Sequence, residues 1–118
     1  MIELAKAYDE LLLELQAERP TLLPEDQKPW RERFSKALQR LSLEETPRLR
    51  LEAEFLEFGP LNRVLARSEV TEIVLNGPKD IWYEMEGRLH PADDLFLGPI
   101  TYRNTIERIC LEAGTLID

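Results

Sequence analysis

Five glycines, Gly59, Gly77, Gly87, Gly98 and Gly114, are the positions at which this chain could cradle a phosphate on backbone N–H groups. The phosphate loop that does so needs a glycine-rich turn and a lysine, in the form G-x-x-x-x-G-K-[ST]. No glycine here precedes a lysine, and no two have that spacing. The chain is therefore expected not to turn over ATP by itself. One histidine and one cysteine, His90 and Cys110, are too few for a structural zinc site, so no metal ligand and no catalytic residue is assigned. Cys110 falls on the apolar side of a helical pattern and reads as an inert core residue. His90 ends a strand beside Pro91 and reads as a surface or edge residue. Asp93 and Asp94 could pair as acids, but neighbours in extended chain point apart, and a solvated connection is the plainer reading. A nucleophilic triad would have to join His90 to Ser35, Ser42 or Ser68, and nothing in the sequence places these together.

Trp82 and Tyr83 are adjacent in a strand pattern, so they face opposite sides of a sheet. One belongs to the core; the other needs cover from the chain itself or from a partner.

The elements that position these residues follow from periodicity. From Ile2 to about Arg19, Ile2, Ala5, Tyr8, Leu12 and Leu15 trace one face of a helix, widened by Leu4, Leu11 and Leu13. Pro20 and Pro24 bracket a break. A second helix is expected from Pro29 to Leu41, with Pro29 in its first turn and Trp30, Phe34, Ala37, Leu38 and Leu41 as its stripe. Thr46-Pro47 announces a third, carrying Leu49, Leu51, Phe55 and Leu56 and stopping at Gly59-Pro60. Gly77-Pro78 and Gly98-Pro99 repeat that punctuation.

After Gly59 the period changes. Leu61 to Ala66 reads as a short helix. Val70 to Leu75 reads as a strand, with Thr71, Ile73 and Leu75 on one face and Val70 and Val74 on the other. Asn76 to Asp80 forms a turn, Ile81 to Met85 a second strand, Glu86-Gly87 a tight turn, and Arg88 to His90 a third strand, which Leu95-Phe96-Leu97 extends. Such short connections imply two adjacent antiparallel hairpins. Pro99 opens a last helix, with Tyr102, Ile106, Ile109, Cys110 and Ala113 on its buried face and Gly114 as its stop. Ile73 and Leu75 are expected to meet Ile106 and Ile109. The fold class is α+β: a helical extension over residues 1–45, then a small antiparallel sheet with a packed C-terminal helix over 46–118.

The chain has 118 residues, 43% hydrophobic and 32% charged, an ordinary balance for a folded chain. With 15 Lys+Arg against 23 Asp+Glu, the net charge is −8, which disfavours nucleic acid and anionic membrane as partners. The mildly basic run from Lys28 to Arg40 reads as a solvated helix face. A single cysteine permits no intramolecular disulfide and fits a reducing compartment. No run approaches the ~20 apolar residues of a membrane span, and Met1-Ile2-Glu3-Leu4 does not open a signal peptide. A cytoplasmic location is expected.

Phe58-Gly59-Pro60-Leu61, the run Glu69-Val70-Thr71-Glu72-Ile73-Val74-Leu75-Asn76-Gly77-Pro78, Gly87-Arg88-Leu89, Ile106-Glu107-Arg108-Ile109 and Ile117-Asp118 follow one another in a recognisable order. Together they resemble the N-terminal domain of the CpaF-like ATPases of tight-adherence (Flp) pilus and type II/IV secretion systems. Asp80-Ile81-Trp82-Tyr83-Glu84 takes the place of that family's second strand. The likeness covers residues 55–118, about half the chain. It implies a cytoplasmic hexameric motor at the inner membrane, whose N-terminal domain packs above a RecA-like ATPase domain and contributes to subunit contacts. This chain stops at Asp118, where the family continues through further strands and a linker to the phosphate loop. ATP and Mg²⁺ thus belong to a full-length parent, and no cofactor is expected here.

The resemblance implies contact with other subunits of a secretion ATPase hexamer or with inner-membrane secretion or pilus proteins, reaching the membrane only indirectly. Asn76 and Gly77 match the family's Asn-Gly-Pro pattern, so the contact is expected at Asn76, Gly77, Lys79 and Trp82. The plainer reading is that Asn-Gly is a good turn dipeptide. An open sheet edge offers a second route to association. Two other functions stay open: a free-standing interaction protein that regulates such a motor, and a nucleotide-messenger sensor. For the latter the chain lacks an Arg-rich, Gly-spaced helical motif.

Overall fold

The computed structural model describes residues 3–15 and 24–113. Five helices and three strands run in the order α1 Leu4–Glu14, α2 Pro24–Arg40, α3 Glu45–Leu56, α4 Leu61–Leu65, β1 Val70–Gly77, β2 Asp80–Met85, β3 Arg88–Pro91 and α5 Pro99–Ala113. The fold is α+β, with a three-stranded antiparallel sheet in the order β1-β2-β3. The chain divides into two compact units, Met1–Leu51 and Glu52–Asp118.

In the first unit, Ala7, Tyr8, Leu11 and Leu15 are buried, so the buried stripe of α1 starts from Ala7 and not from Ala5. Spacings of four, three and one put all four on one side of a 3.6-residue helix. Leu13, expected to widen the face, is exposed. Ile2, Arg19 and Pro20 lie outside the described residues. Helix α2 begins at Pro24, and Pro29 sits inside it, where it removes one backbone hydrogen bond. Its stripe of Trp30, Phe34, Ala37 and Leu38 is buried as its spacing requires, with Leu41 half-buried just past its end. Trp30 and Phe34 stack at 5.6 Å. Arg40 pairs with Glu14 across the two helices.

The second unit is built around Leu61, Ile81 and Phe96, with Phe58, Ile73, Leu75, Leu95, Tyr102 and Ile109 packed against them. Ile73, Leu75 and Ile109 meet there as their spacing requires; Ile106 is half-buried and stands outside that cluster. Residues 95–97 do not extend β3. Phe96 instead plugs the core, fully buried, with its N–H donated to Pro78 O at 3.0 Å.

Both hairpins form. Met85 pairs with Arg88 around Glu86-Gly87, and both turn residues have positive φ, 55° and 75°, the geometry of a two-residue hairpin that follows the strand twist. The first hairpin is tighter than its sequence suggests. Gly77 pairs with Asp80, so Pro78-Lys79 is the turn and Asn76-Gly77 belongs to β1. β1 also has register shifts between Val70 and Glu72 and between Leu75 and Gly77. These make Thr71 and Asn76 bulge residues. The first bulge breaks simple alternation: Val70 pairs with Met85 and Ile73 with Tyr83, which puts Val70 and Ile73 on one face.

Helix α5 packs Tyr102 and Ile109 of its expected face against the core, but its most buried residues are polar. Thr101 and Thr105 are buried, while Ile106 and Cys110 are only half so. Polar contacts to the end of α3 account for their burial. Glu54, itself buried, accepts the Leu97 N–H at 3.0 Å and the Thr101 hydroxyl. Arg108 donates to Leu56 O at 3.1 Å and to Glu57 O. A carboxylate thus meets the N-terminus of α5 and a guanidinium meets the C-terminus of α3, each favoured by the helix dipole. Gly114, expected to stop α5, lies outside the described residues.

Candidate interaction surface

Strand alternation sorts the sheet residues into two faces. Ile81 and Tyr83 are buried on the inner face, where Tyr83 pairs with Ile73 and His90. The outer face carries Trp82 and Glu84. Val74, Trp82 and Pro91 stand in one row across the three strands; Glu72, Glu84 and Leu89 form the next. Trp82 is 36% exposed and Leu89 57%, large fractions for such side chains. Of the adjacent aromatics, Tyr83 is therefore the core residue and Trp82 the outward one.

The four residues expected to make contacts are placed differently from one another. Asn76 is the exposed bulge residue of β1. Gly77 has no positive φ, and a Cβ there would meet nothing within 4 Å, so the backbone does not demand glycine. Lys79 donates from Nζ to Phe96 O at 2.7 Å and braces the turn against the loop before α5. Trp82 donates from Nε1 to Asp80 Oδ1 at 2.6 Å, which fixes the indole on the outer face.

The inner face of the sheet, around Tyr83 of the central strand, holds a polar cluster that the sequence did not reveal. Arg67 donates to the Tyr83 hydroxyl at 3.0 Å and lies 5.4 Å from its ring centre. His90, half-buried on the edge strand β3 as expected, stacks on the same ring at 5.3 Å. Arg63, Arg67, Tyr83, Asp93 and Asp94 line a cavity of about 20 Å³. Such a volume takes a water molecule, not a substrate. Asp93 is exposed and Asp94 half-buried in the loop after β3, where Asp94 accepts the Leu95 N–H at 2.8 Å. At the start of β1, the Glu69 carboxyl is held below its usual range, chiefly by its own backbone N–H, with help from Ser68 and Arg67.

Among the described residues no group of three His, Cys, Asp or Glu side chains could hold a metal ion, and no helix is long and apolar enough to cross a membrane. Compared with known proteins, the chain matches no family model and no curated protein. The Glu54 contacts, and the bonds that Arg108 makes to the end of α3, also leave little mark in the sequence. Glu54 had a faint signal, a carboxylate three residues after Leu51 and next to Phe55, inside an apolar stripe.

Proposed function

We propose that the chain is a non-catalytic assembly or regulatory domain of a type II/IV secretion or pilus-assembly ATPase, acting by contact with other subunits or with inner-membrane partners. The observation that carries this reading is the outer sheet face, where Trp82 and Leu89 lie open beside Val74 and Pro91. An aromatic fixed in the open by its own hydrogen bond suits recognition better than solvation. The resemblance to the CpaF-like N-terminal domain supports the reading further, because residues 55–118 fall within the unit Glu52–Asp118. In this reading the domain works in the cytoplasm and reaches the membrane through partners. ATP and Mg²⁺ belong to the parent motor.

The test is co-sedimentation of the purified chain with the RecA-like motor domain of a CpaF-like ATPase, with phosphate release followed in parallel. A complex is expected, with no turnover from the chain alone. Failure to associate with the motor domain, or turnover that follows the chain through repurification, contradicts the proposal.

A further inference from the structure

The sheet has two edges and one open face, and only the face is fit for a partner. β1 carries a bulge near each end, at Thr71 and Asn76. β3 is four residues long and ends in Pro91. Bulges, shortness and proline are devices that keep an edge from recruiting another strand.

The open face has a charge pattern with a cost. Glu72 and Glu84 are direct cross-strand partners, and like charges so placed repel. Among the described residues neither has an ion pair; one Glu84 oxygen accepts the Thr71 hydroxyl at 3.2 Å. Asp80, held against Trp82, adds a third carboxylate. The paired outer positions include no lysine or arginine. Next to these acids run Val74, Trp82, Pro91 and Leu89.

We propose that this face docks an amphipathic helix of another protein, one that lays apolar side chains over Trp82 and Leu89 and reaches between Glu72 and Glu84 with a lysine or arginine. A basic side chain there relieves the repulsion; an acidic or purely apolar one leaves it in place or worsens it. A second copy of this chain is the wrong occupant, because it brings the same glutamate pair and its own net charge of −8. Three strands about 4.8 Å apart span about 10 Å, the width of one helix. The inference rests on the reading that the chain acts by protein contact, and adds the surface and the chemistry of its occupant.

The test uses the whole chain and two synthetic 18-residue helical peptides with the same leucine stripe, one flanked by lysines and one by glutamates. Calorimetry gives affinity, and backbone NMR shifts give location. The lysine peptide is expected to bind with shifts centred on Val74, Trp82, Glu84 and Leu89, at least about tenfold tighter than the glutamate peptide. Glu72→Lys with Glu84→Lys is expected to invert that preference. Should the double reversal not fold, Glu72→Gln with Glu84→Gln is expected to abolish the preference. Binding of neither peptide at ~1 mM, equal binding of both, a preference untouched by the substitutions, shifts centred elsewhere, or concentration-dependent self-association through this face each overturn the inference. The peptides do not involve the motor. Their failure alongside an intact complex with the motor domain removes only this inference, and the reverse outcome removes only the proposed function.

Discussion

Glu54 and Arg108 tie α3 to α5 from opposite ends. Glu54, on α3, receives the Leu97 N–H and the Thr101 hydroxyl at the start of α5; Arg108, on α5, donates to the Leu56 and Glu57 carbonyls at the end of α3. Glu54→Ala takes the acceptor from the half-buried Leu97 N–H, leaves the buried Thr101 hydroxyl only Gly98 O at 3.3 Å, and opens a cavity. It is expected to cost about 2–4 kcal/mol, with Glu54→Gln nearer 1–3 kcal/mol because one acceptor oxygen survives. Urea denaturation measures both. A loss below ~0.5 kcal/mol for Glu54→Ala would show that this tie does not hold the unit together.

Gly59 and Gly77 separate necessity from habit. Gly59 has φ 57°, and a Cβ there would stand 3.1 Å from Glu54 Oε1 and 3.2 Å from Phe96 Cε1. Gly59→Ala therefore combines left-handed strain with crowding, for about 2 kcal/mol or more. Gly77→Ala meets open space without positive φ and is expected to change stability by less than about 0.5 kcal/mol. Equal effects in thermal melts would refute this contrast.

Core burial sets a third expectation. Ile81 and Phe96 are buried at the centre of the second unit, and Ile106 is half-buried outside that cluster. Ile81→Ala and Phe96→Ala should each cost about 2–5 kcal/mol, and Ile106→Ala about 1 kcal/mol. If chemical denaturation ranks Ile106 first, the face of α5 has been misassigned.

The order of elements was legible because each leaves a local mark: a stripe at Trp30, Phe34, Ala37 and Leu38, a Glu86-Gly87 turn, a proline opening α5. The misses have one physical origin. Bulges at Thr71 and Asn76, the burial of Thr101 and Thr105 on α5, and the burial of Phe96 are all decided by partners distant in sequence. Trp82 was legible as a contact candidate because adjacent strand residues must diverge. Its neighbours Val74, Leu89 and Pro91 were not, since the pairing register brings them together.

Lys79 joins the turn to the loop before α5 through Phe96 O, while the Phe96 N–H is donated to Pro78 O. Lys79→Ala should therefore loosen this junction, costing about 0.5–1.5 kcal/mol, and speed amide exchange at Phe96 more than at Ile81. Unchanged exchange at Phe96 would mean that the lysine is dispensable to the brace.

In the proposed function the chain acts by protein contact through the outer face of its sheet. The most direct measurement of this is the affinity of the chain for a CpaF-like motor domain, with and without Trp82→Ala. Trp82 lies outside the core, so the variant should stay folded, losing less than about 1 kcal/mol of stability. The unaltered chain should form a complex that Trp82→Ala weakens by about tenfold or more. No complex at all, or equal affinity for a folded Trp82→Ala variant, would contradict the proposed function.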